Sequence, residues 1–329
     1  MLSRRGFVRA AAMAGVALPA LGRGRAFAQA EDYPNQPIHS ICLFPPGTGA
    51  DVRIRFYAKK LQDLTGKPVV VENKPGANGN IATEYVARSK PDGYTIFIAP
   101  GSSSLAAAPS LFRKLNYDPI NDFEHITTLS TSAFVLLVDA KSPFKTLADL
   151  TAHLKPLGPK GSYGSSANPG VIGAETYKAT NGLETVEVRY KDSAQMYNDL
   201  AGGSLAFFFT DVNGAGGHIR SGRVRPLAMT SAKRLTSWPD IPGAEEAGIP
   251  GLDLQTWWSV HVPAKTPKPI CDKLETWFNQ IVADPDTDKF NVTAGSDALP
   301  GNSKMLRELL LKEMKAWQSY VKLANIEAQ

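Results

Sequence analysis

The sequence predicts an α/β fold of two lobes with a cleft between them, and three observations carry that prediction. Residues 38–112 alternate short apolar runs with helix-period runs, the pattern of a parallel sheet covered by helices. A second alternation of the same character runs from about 134 to 230. Beyond Trp257 only apolar helical faces remain, which leaves C-terminal helices to return to the first lobe. The chain then crosses twice between lobes, near Leu137 and near Trp257. Residues 29–137 with 257–329 form lobe one, and 138–256 form lobe two. In such a fold, helix N-termini converge on a cleft at the carboxyl ends of both sheets.

Residues 1–28 read as an address. Ser3-Arg4-Arg5-Gly6-Phe7-Val8-Arg9 matches a twin-arginine export signal, an Ala-rich stretch follows to Leu21, and Ala26-Phe27-Ala28 offers a cleavage site. The apolar stretch is broken by Gly15 and Pro19 and falls well short of the ~20 residues a spanning helix needs. The expected location is therefore the periplasm, with the cleaved chain soluble. Removing this leader takes away five Arg and no acid, leaving 31 Lys+Arg against 31 Asp+Glu. The pI near 9.0 belongs to the leader, and no basic field remains to support a nucleic-acid partner.

In order along the chain, Ile38–Phe44 reads as a strand. Ile54, Tyr57, Ala58, Leu61 and Leu64 share a helical face that stops at Gly66. Pro68–Glu72 is a short strand, Ile81–Ser89 a helix closed by Pro91-Asp92-Gly93, Tyr94–Ala99 a buried strand, and Ser102–Phe112 a helix. In the second run, Phe134–Val138 reads as a strand, Leu147–Leu154 a helix, Ser162–Gly164 a strand end and Gly170–Thr180 a helix. Val186–Tyr190 is a strand, Ser193–Leu200 a helix, Leu205–Thr210 a strand buried on both faces, and Leu227–Thr230 a strand. Two helices close the chain, one on the Leu274, Phe278, Ile281 face and one on Leu306, Leu310, Trp317 and Val321.

No catalytic constellation is visible. The five His are scattered without metal-ligand spacing. Gly164-Ser165-Ser166-Ala167-Asn168 is not a nucleophile elbow, because Asn168 stands where the second Gly is required. Cys42 and Cys271 permit one disulfide in an exported protein, but their places in a strand and at a helix start favour two separate thiols. The expectation is no catalytic residue, no metal and no cofactor.

What remains is a set of turns, each ending where a helix begins. Phe44-Pro45-Pro46-Gly47-Thr48-Gly49-Ala50-Asp51 is the first; it reads either as a tight turn with Asp51 as N-cap or as an anion site of unpaired N–H groups. Lys74–Asn80, Pro100–Ser103 and Tyr163–Asn168 are the others. Their small residues let a ligand approach the backbone, and their hydroxyls and amides are neutral donors. Four such turns on two lobes favour capture of a small anion without bond chemistry. From them the candidate ligand-binding residues are Phe44, Gly47, Thr48, Gly49, Ala50, Asp51, Asn78, Ser102, Ser103, Ser165, Ser166 and Asn168.

These turns carry a family resemblance. Tyr33-Pro34, Phe44–Asp51, Val69-Val70-Val71-Glu72-Asn73-Lys74-Pro75-Gly76, Gly79-Asn80-Ile81 and Pro91-Asp92-Gly93-Tyr94-Thr95 are similar to the Bug-type solute-binding receptors of the tripartite tricarboxylate transporter family. So are Tyr117-Asp118-Pro119, Tyr190-Lys191, His218–Gly222, Ala228–Arg234 and Pro239-Asp240-Ile241-Pro242. The resemblance implies a type II-like periplasmic binding fold that closes on a small organic carboxylate and delivers it to membrane permease subunits. It adds Tyr190, Asp211 and Trp257 (or its neighbour Trp258) to the candidate site, the tryptophan and Phe44 as platforms for an aromatic acid. Thr48 stands where a second Gly is usual, Ala50 where Ser or Thr is common, Asp192 for a usual Gly, and Thr210-Asp211 for Asp-Asn. Two added negative charges disfavour tri-anionic citrate and suit a mono- or dicarboxylate or an amino acid. The expected receptor is a monomer. A periplasmic hydrolase or lyase on the same lobes, and a ligand-binding partner of a sensor kinase, stand as alternatives.

Overall fold

The computed structural model describes residues 32–329, and the leader read at 1–28 lies outside them. The first unit alternates β1 (Ile38–Cys42), α1 (Gly49–Thr65), β2 (Val69–Asn73), α2 (Asn80–Ala87) and β3 (Thr95–Pro100). A π-helical turn at Ser102–Ala107 leads into the single turn α3 (Ala108–Leu111). Then come β4 (Phe123–Asp139), α4 (Leu147–Leu157), β5 (Ser162–Ser165), α5 (Asn168–Asn181), β6 (Val186–Arg189) and α6 (Ser193–Ala201). The chain continues through β7 (Phe207–Asp211), α7 (Val212–Arg220), β8 (Val224–Met229), α8 (Ala244–Ala247) and β9 (Gln255–Pro263). It ends with α9 (Lys268–Val282), α10 (Pro285–Thr293), β10 (Asp297–Ala298) and α11 (Ser303–Leu323). None of the described helices is long and apolar enough to cross a membrane.

Local chemistry accounts for the helix ends. Thr48 caps α1 with its hydroxyl accepting from Asp51 N, and Gly66 closes the helix in the left-handed region at φ 67°. Thr146 and Asp149 form a reciprocal capping box on α4. Asn302 caps α11 through Met305 N, and Leu306, Leu310 and Trp317 form the face that α11 buries.

β2, β1 and β3 are parallel; β9 joins β3 antiparallel and β4 joins β9 antiparallel. β4 is the pivot of the molecule. Its residues Phe123–Ala133 pair with β9, whereas Phe134–Asp139 pair with β7 and β8. The partners change between Ala133, opposite Gln255, and Phe134, opposite Asp211. β7, β5 and β6 complete the second, parallel part of the sheet.

Two elements depart from the sequence expectation. The strand expected at Phe134–Val138 is the second half of a 17-residue strand that begins at Phe123. Its first half is rich in Ser and Thr, yet it is buried in the sheet centre, because those hydroxyls are hydrogen-bonded: Thr127 to Asn279, Thr128 to the Leu299 carbonyl and Thr131 to Gln255. The chain beyond Trp257 does not go directly to helices; Gln255–Pro263 first forms β9 between β3 and β4. The sequence pattern also gives no sign of α7 and α10. α7 is Gly-rich and is held at its start by the Asp211 cap.

One apolar cluster runs from Phe97 and Leu105 of the first lobe through Leu306 and Trp317 of α11 to Ile172 and Phe207 of the second. A separate cluster under α1 and α9 holds Ile54, Tyr57, Leu274 and Phe278. α11 therefore packs chiefly on the first lobe but also seals its junction with α5.

Candidate functional site

The carboxyl ends of β1, β3, β5, β6 and β7 all point toward the change of partners in β4. Between them lies a cavity of about 610 Å³. The first lobe supplies Asn78, Ser102 and Ser103 to its wall, and the second supplies Ala167, Asn168 and Arg189. Phe134, Leu254, Gln255 and Thr256 of the crossing segments form its floor, and Trp317, Asn325, Ile326, Glu327 and Gln329 flank it. Four candidates from distant turns, Asn78, Ser102, Ser103 and Asn168, are thus brought to one cavity.

The Asn78 turn is strained. Gly76, Ala77, Asn78 and Gly79 all lie at positive φ (128°, 46°, 53° and 94°). Two of the four are not glycine, a conformation that is held only where the surroundings dictate it. Gly79 is fixed by a close approach, since a Cβ there would sit 2.5 Å from Leu43 Cδ1.

Ser102 is placed by a second close approach. A Cβ on the preceding Gly101 would fall 2.0 Å from the Trp257 ring, so glycine lets the indole pack under the turn. Ser102 is 3% exposed, and its hydroxyl accepts only a long 3.4 Å contact from Trp257 N. Ser103 donates to the Pro100 carbonyl at 3.2 Å. The Asn78 and Asn168 side-chain amides have no hydrogen-bond partner among the described residues.

The Phe44–Asp51 turn lies beside this cavity rather than in its lining. Asp51 is not the N-cap; Thr48 is. Asp51 is the third helical residue, and its buried carboxylate holds the turn together from inside. It accepts from Arg55 Nε at 2.8 Å, Asn73 Nδ2 at 2.7 Å and Gly47 N at 2.9 Å. The Arg55 hydrogen bond first, and those from Asn73 and Gly47, hold its carboxyl well below the usual range against the opposing effect of burial. With Asp51 N on the Thr48 hydroxyl and Val52 N on the Thr48 carbonyl, only Gly49 and Ala50 of the first turn keep unpaired N–H groups among the described residues. Phe44 leans on Trp258 at 6.1 Å between ring centroids.

Other candidates have structural partners. Ser165 is buried, and its hydroxyl donates to Glu187 at 2.5 Å. The Tyr190 phenol donates to Asp199 at 2.6 Å; burial first, and then that carboxylate, pushes its pKa up to about 12. Asp211 caps α7, accepting from Asn213 N at 2.9 Å and Gly214 N at 3.4 Å. Burial raises its pKa, and the two N–H groups and Arg53 oppose that rise. Ser166 is exposed on the turn before α5. Trp257 is 2% exposed and belongs to the core; Trp258, on the opposite face of β9, takes the position beside Phe44.

Sequence reasoning missed Arg53. Its guanidinium is buried, bonded to Ser130 Oγ at 2.9 Å, Asn291 Oδ1 at 3.2 Å and Ser296 Oγ at 3.1 Å. It lies over the Trp258 ring at 5.4 Å and the Phe290 ring at 5.7 Å. Spacing was the available signal: Arg53 stands four residues before Tyr57, which puts a cation on the face that α1 buries. Cys42 and Cys271 are both free. No group of three metal-ligating side chains is found among the described residues.

Two α/β lobes joined by crossing strands, with neutral donors from both lining one interlobe cavity, define a periplasmic-type solute-binding protein. The chain belongs to the family of tripartite tricarboxylate transporter receptors, whose model matches residues 54–326. A relative, a UPF0065 protein of Bordetella bronchiseptica, is 31% identical over 91% of this chain and 89% of its own length. The protein BugT of Bordetella pertussis is 29% identical over 94% of each chain. Among solved structures, R. palustris Rpa4515 with adipate superimposes with a TM-score of 0.73 at 29% identity, covering 91% of this chain and 100% of that one. The family is one of substrate-binding proteins, so the chain is a receptor and the hydrolase or lyase alternative falls.

Proposed function

We propose that this receptor captures a small organic carboxylate between its lobes and hands it to the permease subunits of a tripartite-type transporter. One observation carries the reading: a cavity whose opposing walls present neutral donors, Asn78 and Ser102 from one lobe and Asn168 from the other. Neutral donors fixed in a cleft hold an anion without the desolvation penalty of a buried cation. The unpaired Gly49 and Ala50 N–H groups at the start of α1 add a second set of donors along the same edge of the sheet. Closure about the β4 and β9 crossings would exclude water. The lobes are taken as 29–137 with 257–329, and 138–256. The adipate bound to the related Rpa4515 supports the carboxylate class. Export by a twin-arginine signal at 1–28 and action as a monomer complete the proposal.

Thermal-shift screening of residues 29–329 against mono-, di- and tricarboxylates tests it. At least one carboxylate should raise the melting temperature in a concentration-dependent way. Stabilisation by another ligand class and by no carboxylate would overturn the reading. Co-purification with a sensor-kinase ectodomain in place of a permease would overturn the delivery step.

A further inference from the structure

Resting on that carboxylate reading, we infer that Arg189 is the specificity-determining residue by which the interlobe cavity tells a ligand with a second carboxylate from one with a single carboxylate. Arg189 ends β6, opposite Ser165 in the register of β5 and β6. It lines the second-lobe wall of the cavity, and among the described lining residues it is the only cation.

Its guanidinium is held at one edge. Nε lies 3.2 Å from Glu187 Oε1, and that same oxygen accepts from the Ser165 hydroxyl at 2.5 Å. The two terminal nitrogens have no partner among the described residues. A guanidinium anchored through Nε keeps its end-on edge, two N–H groups spaced to meet both oxygens of a carboxylate. The side chain is 70% exposed, so a ligand reaches that edge without displacing packed groups. Glu187 is shared between Ser165 and Arg189, and Glu327, the one acid in the lining, makes no ion pair with Arg189.

The wall formed by the first lobe is different. It offers Asn78, exposed and with an unpartnered amide, and no cation. One carboxylate can be met there by neutral donors. A second, at the far end of the ligand, loses its water as the lobes close and needs a charged partner. Arg189 is that partner, and because it belongs to the other lobe, a ligand that engages both walls ties them together.

Calorimetric titration of the mature chain tests the inference. Succinate, glutarate and adipate are each compared with the monoacid and the ω-amino acid of the same chain length. At least one diacid should bind about tenfold or more tightly than both counterparts, the size of a hydrogen bond to a charged group. Arg189→Gln should bring the diacid-to-monoacid affinity ratio close to one and, at an exposed position, leave the melting temperature within about 2 °C. Arg189→Gln combined with Glu187→Gln removes one charge of each sign and should leave the ratio equally collapsed. A ratio unchanged in Arg189→Gln, or restored in the double variant, would overturn the role given to Arg189. Monoacids or ω-amino acids that bind as tightly as the diacids, or diacids that fail while another carboxylate binds, would overturn the inference and leave the carboxylate reading standing. Failure of every carboxylate, with stabilisation by another ligand class, would overturn the reading on which it rests.

Discussion

Replacing Asp51 by alanine separates two roles for the turn that opens α1. The carboxylate accepts from Gly47 N, Asn73 Nδ2 and Arg55 Nε at 2.7–2.9 Å. Removing it leaves the Gly47 and Asn73 donors without their acceptor, at about 1.5 kcal/mol each for bonds to a charged group. Arg55 is half exposed, so its pairing adds only about 0.5 kcal/mol. Together these give a loss of about 3–4 kcal/mol, or roughly 5–6 °C in melting temperature for a chain of this size. Asp51→Asn keeps one acceptor oxygen and should lose about half as much. Urea unfolding followed by circular dichroism, alongside carboxylate titration, gives both readouts. The account predicts lower stability in both variants, with weaker binding because the Gly49 and Ala50 N–H groups lose their framing. A variant of unchanged stability that no longer binds ligand would refute the reasoning, since Asp51 would then act on the ligand itself. Because the folded-state carboxyl lies below its unfolded value, this contribution is present above about pH 4 and fades as pH falls through the folded value.

Three further outcomes follow from packing and titration. His125 and His261 are buried side by side with Nδ1 atoms 2.9 Å apart; burial lowers His125 to about 4, and burial with the neighbouring imidazole lowers His261. The unfolded chain takes up protons there below about 6.5 that the folded chain refuses, so stability should fall with pH, by roughly 2 kcal/mol between pH 6.5 and 5 for His125 alone; a flat urea midpoint across that range contradicts this. Gly101→Ala would place a methyl 2.0 Å from the Trp257 ring and should destabilise by about 1–3 kcal/mol, read as a lower melting temperature. Arg53→Leu strips Ser130, Asn291 and Ser296 of their shared partner and should lower stability by about 3 kcal/mol; a variant as stable as the parent would show that the buried cation is not holding β4 against α10.

The first lobe was legible from β1 through β3 because its elements there announce themselves locally. Val69–Glu72 is β-branched, Ile54 to Leu61 keep a helical period, and Gly66 and Gly93 end their segments at positive φ. The centre of the sheet was not. His125–Ser132 reads as polar because its hydroxyls find partners as far away in sequence as Asn279 and Leu299, and no local window contains those partners. β9 was hidden for a related reason: Trp257 and Trp258 face opposite sides of a strand buried on both, so no alternation marks it. At the site, four residues read from the small polar turns, Asn78, Ser102, Ser103 and Asn168, line one cavity. What Asp51, Ser165 and Tyr190 do was not legible, because their partners Asn73, Glu187 and Asp199 are fixed only by folding. Arg53 is the extreme case, with all three hydrogen-bond partners more than seventy residues away in sequence.

A crystal structure of the mature receptor with a stabilising carboxylate tests the central claim most directly. The account predicts the carboxylate in the interlobe cavity, within hydrogen-bond distance of donors from both lobes, Asn78 or Ser102 on one side and Asn168 on the other. A carboxylate held by one lobe alone, or bound outside that cavity, would contradict it.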